Sequence, residues 1–230
     1  MLKHYKAVFF DVGGTLLRVH PSVGDVYATH AREFGFSGSA DDLNREFKQE
    51  WKAMGGMESL GTQKGLEIER AFWKELVRRV FAAHGGLEDF DRYFDLIYNV
   101  FRSKESWRVF EDVTESGLLD QLRNEGVVLG VISNWDSRLP EILKNTGLAP
   151  YFNFILASTV VGSAKPDAGI FREALQRAGV SPAEACHIGD EPATDIEGAR
   201  NVGIASILID RQGRHNGEAL TKVESFLELI

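Results

Sequence analysis

The chain has 230 residues, and its 34 acidic side chains against 26 basic ones give a net charge of -8. With 43% hydrophobic and 26% charged residues, the composition is that of a globular protein and excludes the disordered, collagen-like and low-complexity classes. The acidic excess argues against nonspecific binding of duplex DNA or anionic membranes, which favour excess Lys and Arg. We therefore expect no nucleic-acid or membrane partner. An anionic small-molecule substrate stays open, because a metal ion and a few cations would accommodate it locally.

The expected location follows from the cysteine content and the apolar runs. Cys186 is the only cysteine, which excludes an intrachain disulfide and is typical of a reducing compartment. The apolar run near the N-terminus is short and ends at Asp11, unlike that of a signal peptide. No run approaches the roughly 18 apolar residues of a membrane span. The sequence thus predicts a cytoplasmic protein of unknown oligomeric state.

Short apolar runs alternate with helical patterns along most of the chain. Buried strands are predicted at residues 7–10, 127–132, 154–156, 187–188 and 204–209. Helices are predicted at residues 113–125, 138–144, 170–178 and 193–202. This alternation predicts an α/β fold with a Rossmann-like core, in which helices cover both faces of a parallel sheet.

One long segment lacks strands and reads as an inserted helical bundle. Amphipathic helices are predicted at residues 22–34, 40–54, 66–83 and 87–101, with glycines between them. We expect its aromatic residues to form the core of the bundle rather than a binding surface. The predicted organisation is a first part of the core at 1–17, a helical cap at 18–105 and a second part of the core at 106–230.

The first candidate motif is the run from Asp11 to Thr15, directly after the first strand. Ligands of parallel α/β sheets bind at the carboxyl ends of strands, so Asp11 lies where chemistry is expected. Gly13 and Gly14 permit a sharp turn and close approach of the backbone to a ligand. An acid that caps a turn at a strand end is an equally good interpretation of this motif alone.

Two weaker motifs follow in the second half of the core. Ser133 and Asn134 end the strand at 127–132, where a hydroxyl and an amide would hold an anionic oxygen, although such pairs are also common in turns. Lys165 precedes a helix that Pro166 is suited to begin. Its ammonium would bind a phosphate or screen carboxylates, but a lone lysine is more often solvated.

The fourth motif carries two carboxylates, Asp190 and Asp195, after a short strand. Asp190 is expected in the loop at the strand end and Asp195 in the first turn of the next helix, so that both point to one site. Together with Asp11 they would form an all-oxygen site suited to Mg²⁺. Capping of the helix N-terminus is the alternative for Asp195.

Taken in order, these motifs resemble those of the haloacid dehalogenase-like (HAD) hydrolase superfamily over essentially the whole chain. The inserted helices look like the C1-type cap of subfamily IA, and the start of the cap is similar to the group called haloacid dehalogenase-like hydrolase domain-containing proteins. The resemblance implies a hydrolase, most simply a Mg²⁺-dependent phosphatase of small phosphate esters. It also implies an aspartyl-phosphate on the nucleophile Asp11, with Thr15, Ser133 and Lys165 holding the phosphoryl oxygens.

The resemblance also implies a metal site. Asp11, Asp190 and the backbone carbonyl of Gly13 would be ligands of Mg²⁺. Asp195 would be a further ligand or would support the others. Glycine at position 13 departs from the family pattern, in which a second Asp protonates the leaving group. Since general acid–base help is worth roughly 10²–10⁴-fold, the departure predicts a weak phosphatase or a different chemistry.

Several alternatives stay open. Dehalogenases of this superfamily lack the second Asp, but they typically replace the acid that Asp190 matches. Phosphonatases also lack it and use a cap lysine, for which Lys48, Lys52 and Lys64 are candidates by position only. A catalytically silent binding protein would fit the missing acid as well. A sugar kinase is disfavoured, because helices rather than hairpin strands follow the first motif.

Overall fold

The computed structural model describes residues 2–215 and 221–230. Within these ranges the strands are β1 Ala7–Phe10, β2 Leu17–Val19, β3 Trp107–Val109, β4 Val128–Ser133, β5 Phe154–Ala157, β6 Ala185–Gly189, β7 Ala205–Ile209 and β8 Lys222–Val223. Six of them form a parallel sheet in the order β5-β4-β1-β6-β7-β8. The central strand β1 is buried along its whole length, which explains its uninterrupted apolar sequence.

The described helices are α1 Val23–Ala31, α2 Ala40–Met54, α3 Leu66–Ala82, α4 Phe90–Val100, α5 Glu111–Glu115, α6 Leu118–Asn124, α7 Leu139–Asn145, α8 Ser158–Val161, α9 Ala168–Ala178 and α10 Gly198–Asn201. The first two begin at serines, because the hydroxyls of Ser22 and Ser39 accept the backbone N–H three residues later. Helix α2 ends at Gly55, whose φ of 75° suits glycine. No described helix is both long and apolar enough to span a membrane.

Both faces of the sheet carry helices, as the sequence predicts. Helices α5, α6 and α7 pack on one face in a cluster with side chains of β1 and β4, including Val8 and Val131. Helices α9 and α10 pack on the other face, where Phe171 and Ala199 meet Phe9. The predicted α/β fold with a Rossmann-like core is confirmed.

The structure corrects two predicted helices. The helix predicted at 113–125 is two helices, because Gly117 adopts a φ of 62° and separates α5 from α6. The helix predicted at 193–202 begins as a π-helix at Pro192–Glu197 and becomes α-helical only in α10. The wider π turn contains Asp195, and such turns are frequent at functional sites.

Helices α1 to α4 build a hydrophobic cluster of their own, with Tyr27, Leu76, Phe81 and Tyr93 among its buried members. The antiparallel ribbon of β2 and β3 joins this segment to the sheet. The sequence predicts neither strand, because three residues are too few to show a period. The ribbon lies at both boundaries of the predicted cap at 18–105, and that division of the chain remains a prediction.

Candidate active site

The carboxyl ends of three neighbouring strands bring the predicted site residues together. Asp11 follows β1, Ser133 ends β4 and Asp190 follows β6, and these strands pair side by side in the sheet. The Ser133 hydroxyl donates to Asp11 Oδ1 at 2.9 Å. Thr15 donates to Asp190 Oδ1 at 3.3 Å and so links the first motif to the fourth.

Lys165 lies at the centre of the site with only 2% of its surface exposed. Its Nζ is 2.6 Å from Asp11 Oδ1 and 2.5 Å from Asp195 Oδ1. Burial alone would lower the pKa of Lys165, but the two carboxylates outweigh it and raise the pKa above its usual value. The lysine is therefore a fixed positive charge between two acids rather than a solvated surface group.

Asn134 holds the main chain of Lys165. Its Oδ1 accepts from Lys165 N at 2.7 Å, and its Nδ2 donates to Lys165 O at 2.9 Å. The same Nδ2 donates to Glu58 Oε1 of the helical segment at 2.7 Å. The amide predicted to hold an anionic oxygen is thus engaged with protein groups, and it orients the lysine instead.

Three carboxylates surround one point. Asp11, Asp190 and Asp195 each offer an oxygen, and these oxygens lie within 4.8 Å of one another. Burial raises the pKa of Asp190 to about 8, and the charges of Asp11 and Asp195 add to the shift. Burial also raises the pKa of Asp11, although Lys165 opposes it. This all-oxygen donor set fits a hard divalent cation such as Mg²⁺, which would relieve the repulsion that adds to both pKa shifts.

Two glycines show how closely the backbone approaches its neighbours. A Cβ at Gly14, whose φ is 82°, would lie 2.1 Å from Asp190 Oδ2. Only glycine permits this loop and this carboxylate together. A Cβ at Gly13 would lie 3.3 Å from Cζ3 of Trp135, so a side chain at position 13 would crowd the indole ring.

A cavity of about 550 Å³ opens over the carboxylates, between the sheet edge and the helical segment. Aromatic side chains of the helical segment, among them Trp73, Phe94, Tyr98 and Phe101, line it. The expectation that these residues serve only as the core of the bundle is therefore too narrow. The described residues that line the cavity do not include Lys48, Lys52 or Lys64.

A family model described as haloacid dehalogenase-like hydrolase matches residues 5–203. The chain belongs to this family. The haloacid dehalogenase-like hydrolase domain-containing protein 3 of Bos taurus is 39% identical over 204 residues, covering 87% of this chain and 80% of the relative. An HAD phosphatase structure from Thermococcus onnurineus is 25% identical with a TM-score of 0.67, covering 97% of this chain and 95% of that one. A dehalogenase structure, also 25% identical, has a TM-score of 0.75 and covers 100% and 97%.

Two residues of this HAD hydrolase contact the site, although no motif in the sequence predicts that they do so. His187 is fully buried in β6, and its Nε2 lies 2.8 Å from Asp195 Oδ1. Arg211 follows β7 and donates to the carbonyls of Gly14 and Thr15 at 2.7 and 2.9 Å. The sequence spacing of neither residue predicts its role, because each contact forms only when the chain is folded.

The cap helices of the HAD hydrolase bind the core through buried polar contacts. Glu69 of α3, 2% exposed, accepts from Ser137 N at 3.1 Å and from Ser137 Oγ at 2.5 Å, and Thr159 also donates to it. Trp73 Nε1 donates to Asp136 Oδ2 at 2.6 Å. These contacts fasten the helical segment to the loop after β4 and to α8.

Proposed function

We propose that this HAD hydrolase is a Mg²⁺-dependent phosphatase that transfers a phosphoryl group from a small molecule to Asp11 and then to water. The observation that carries the proposal is the cluster of Asp11, Asp190 and Asp195 around Lys165 at the carboxyl edge of the sheet. Carboxylates beside a buried ammonium suit a reaction that binds an anionic group and stabilises charge as it develops.

The hydrogen bonds support Asp11 as the nucleophile. Ser133 and Lys165 both donate to its Oδ1, and the hydrogen bonds found in the described ranges leave its Oδ2 free. In the proposed reaction a carboxylate oxygen attacks phosphorus while Lys165, Ser133 and Thr15 hold the phosphoryl oxygens. Fixed donors of this kind cost no reorganisation when the transition state forms.

The proposed metal site is centred on Asp190. Asp190 keeps its Oδ2 beyond the Thr15 contact, and Asp11 and the carbonyl of Gly13 would be the other protein ligands. Asp195 is better suited to support, because Oδ1 faces Lys165 and His187 while Oδ2 accepts from Glu191 N at 3.1 Å. When bound, the cation would neutralise charge on the phosphoryl group.

The residue set favours phosphate esters over the other HAD chemistries. The carboxylate of Asp190 is intact, whereas dehalogenases typically replace it. The three candidate lysines for a phosphonatase mechanism are absent from the described lining of the cavity. The single cysteine and the acidic balance support a cytoplasmic enzyme that acts on a small molecule without nucleic-acid partners.

The test is hydrolysis of para-nitrophenyl phosphate by purified protein with Mg²⁺ or with EDTA. We expect slow turnover that needs Mg²⁺ and that Asp11→Asn abolishes. Gln121→Ala, a surface substitution on α6, serves as a matched control that retains activity. Equal rates for the native protein and Asp11→Asn would refute the proposal, and would favour a silent binding protein.

A further inference from the structure

The wall of the cavity is rich in aromatic side chains. The chain has four tryptophans, and all of them, Trp51, Trp73, Trp107 and Trp135, line the cavity above the carboxylates. The rings of Trp107 and Trp135 are 5.1 Å apart, and those of Trp51 and Trp73 are 5.6 Å apart. Such surfaces bind flat apolar groups through stacked or edge-to-face contacts.

The charged residues of this wall already have protein partners. Apart from Glu191 and the carboxylates and lysine of the candidate site, the charged groups of the described lining are Arg18, Arg138 and Glu58. Arg18 pairs with Glu111 at 3.3 Å and Arg138 with Asp136 at 2.6 Å.

Glu58 accepts the amide of Asn134 at 2.7 Å. Of these three groups, Arg138 and Glu58 are engaged inside the protein, and Arg18, whose pair with Glu111 is exposed, stays accessible to the part of a ligand that lies away from the phosphate.

Position 13 gives an independent indication about the leaving group. Gly13 supplies no acid, and the ring of Trp135 stands 3.3 Å from the place of a Cβ. The departing oxygen then has no side chain at position 13 to protonate it. A phenol, like the Tyr side chain, has a pKa of about 10, whereas an alcohol is closer to water at about 15.7. An aryl oxygen leaves far more readily without protonation.

We propose that the substrate class of this enzyme is aryl phosphate monoesters, whose ring the tryptophan wall binds. The inference rests on the proposed phosphatase function. An oxygen of Asp11 forms a bond to phosphorus, the bond from phosphorus to the aryl oxygen breaks, and the electron pair leaves with a phenolate that water protonates. Water then hydrolyses the aspartyl-phosphate, which releases inorganic phosphate and restores the Asp11 carboxylate.

Four probes separate binding of an aromatic ring from the quality of the leaving group. The probe 1-naphthyl phosphate has both properties, 2-phenylethyl phosphate has only the ring, acetyl phosphate has only the good leaving group, and glycerol 3-phosphate has neither. Binding is measured by intrinsic fluorescence of the Asp11→Asn protein, because every tryptophan lines the cavity. We expect both aromatic probes to bind at least tenfold more tightly than both non-aromatic ones, and turnover to be fastest for 1-naphthyl phosphate.

Two phenylalanines of the cap cluster provide a matched pair of variants. Phe47 and Phe90 are both half-buried, but only Phe47 lines the cavity. Phe47→Leu should raise KM for 1-naphthyl phosphate by roughly three- to tenfold, the range of a lost aromatic contact, and leave acetyl phosphate within twofold. Phe90→Leu should change neither.

The outcomes distinguish this inference from the proposed function. Hydrolysis of acetyl phosphate that depends on Asp11, with aromatic probes bound no more tightly than the others, would overturn the aryl class and retain the phosphatase. Equal effects of the two Phe→Leu variants would also overturn it. Absence of any hydrolysis that depends on Asp11 would instead remove the phosphatase function on which the inference rests.

Discussion

Gly13→Asp would restore the acid that HAD phosphatases carry, and we expect it to act fully when Trp135 also becomes smaller. The new Cβ would lie 3.3 Å from Cζ3 of the indole ring, closer than an ordinary van der Waals contact, and the rest of the side chain needs more room still. Gly13 has no positive φ, so the backbone itself accepts an aspartate. The obstacle is the ring of Trp135.

The expected magnitude follows from what the acid does. A general acid contributes roughly 10²–10⁴-fold where the leaving group needs a proton, and much less where it does not. Gly13→Asp with Trp135→Leu should therefore raise kcat/KM for glycerol 3-phosphate by about 10²-fold or more over Trp135→Leu alone. The gain for 1-naphthyl phosphate should be below roughly tenfold, because a phenolate leaves without help.

The assay is phosphate release at saturating Mg²⁺, with thermal melting to verify that each variant folds. Gly13→Asn paired with Trp135→Leu is the matched control, since the amide has the size of the acid but no proton to give. A full gain from Gly13→Asp with Trp135 intact would refute the steric argument. A folded double variant without gain on glycerol 3-phosphate would refute the assignment of position 13 to the acid.

Three further predictions concern the stability of the fold and the reactivity of a buried thiol. Lys165→Met keeps the volume but leaves two buried carboxylates unpaired, so we expect the free energy of unfolding in urea to fall by about 3–5 kcal/mol. Glu69→Ala leaves the N–H and the hydroxyl of Ser137 without their acceptor and should cost about 1–3 kcal/mol, with faster proteolysis of the cap. Burial raises the pKa of Cys186 to about 12, so at pH 8 the thiol stays protonated and should react with Ellman's reagent only after unfolding.

The fold could be predicted largely because its long elements repeat a period. The strand Ala7–Phe10 and the helix Ala40–Met54 occur at the predicted residues, since an apolar run and an amphipathic face are readable without tertiary contacts. The break at Gly117 could not be predicted, because one glycine within a helical pattern is often tolerated. Strands β2 and β3 exist through pairing with each other, and three residues carry no period.

The site was predictable wherever topology alone dictates proximity. Asp11, Ser133 and Asp190 meet because the carboxyl ends of adjacent parallel strands lie at one edge. The contact of Asn134 with the main chain of Lys165 was not predictable, since it depends on the path of a loop. The same holds for Arg211, which follows β7, two strands away from β1, and donates to the Gly14 carbonyl.

The contact between Gly13 and Trp135 bears on whether the missing acid is a simple loss or a feature of a site with different substrates. Loss of a side chain from a packed site leaves a void, and voids of that kind cost stability. Here an indole ring lies 3.3 Å from the place of a Cβ at this position, and it also forms part of the cavity wall. Trp135 thus crowds position 13 and also lines the cavity, which is the arrangement we expect if the substrates are esters whose leaving group departs without a proton.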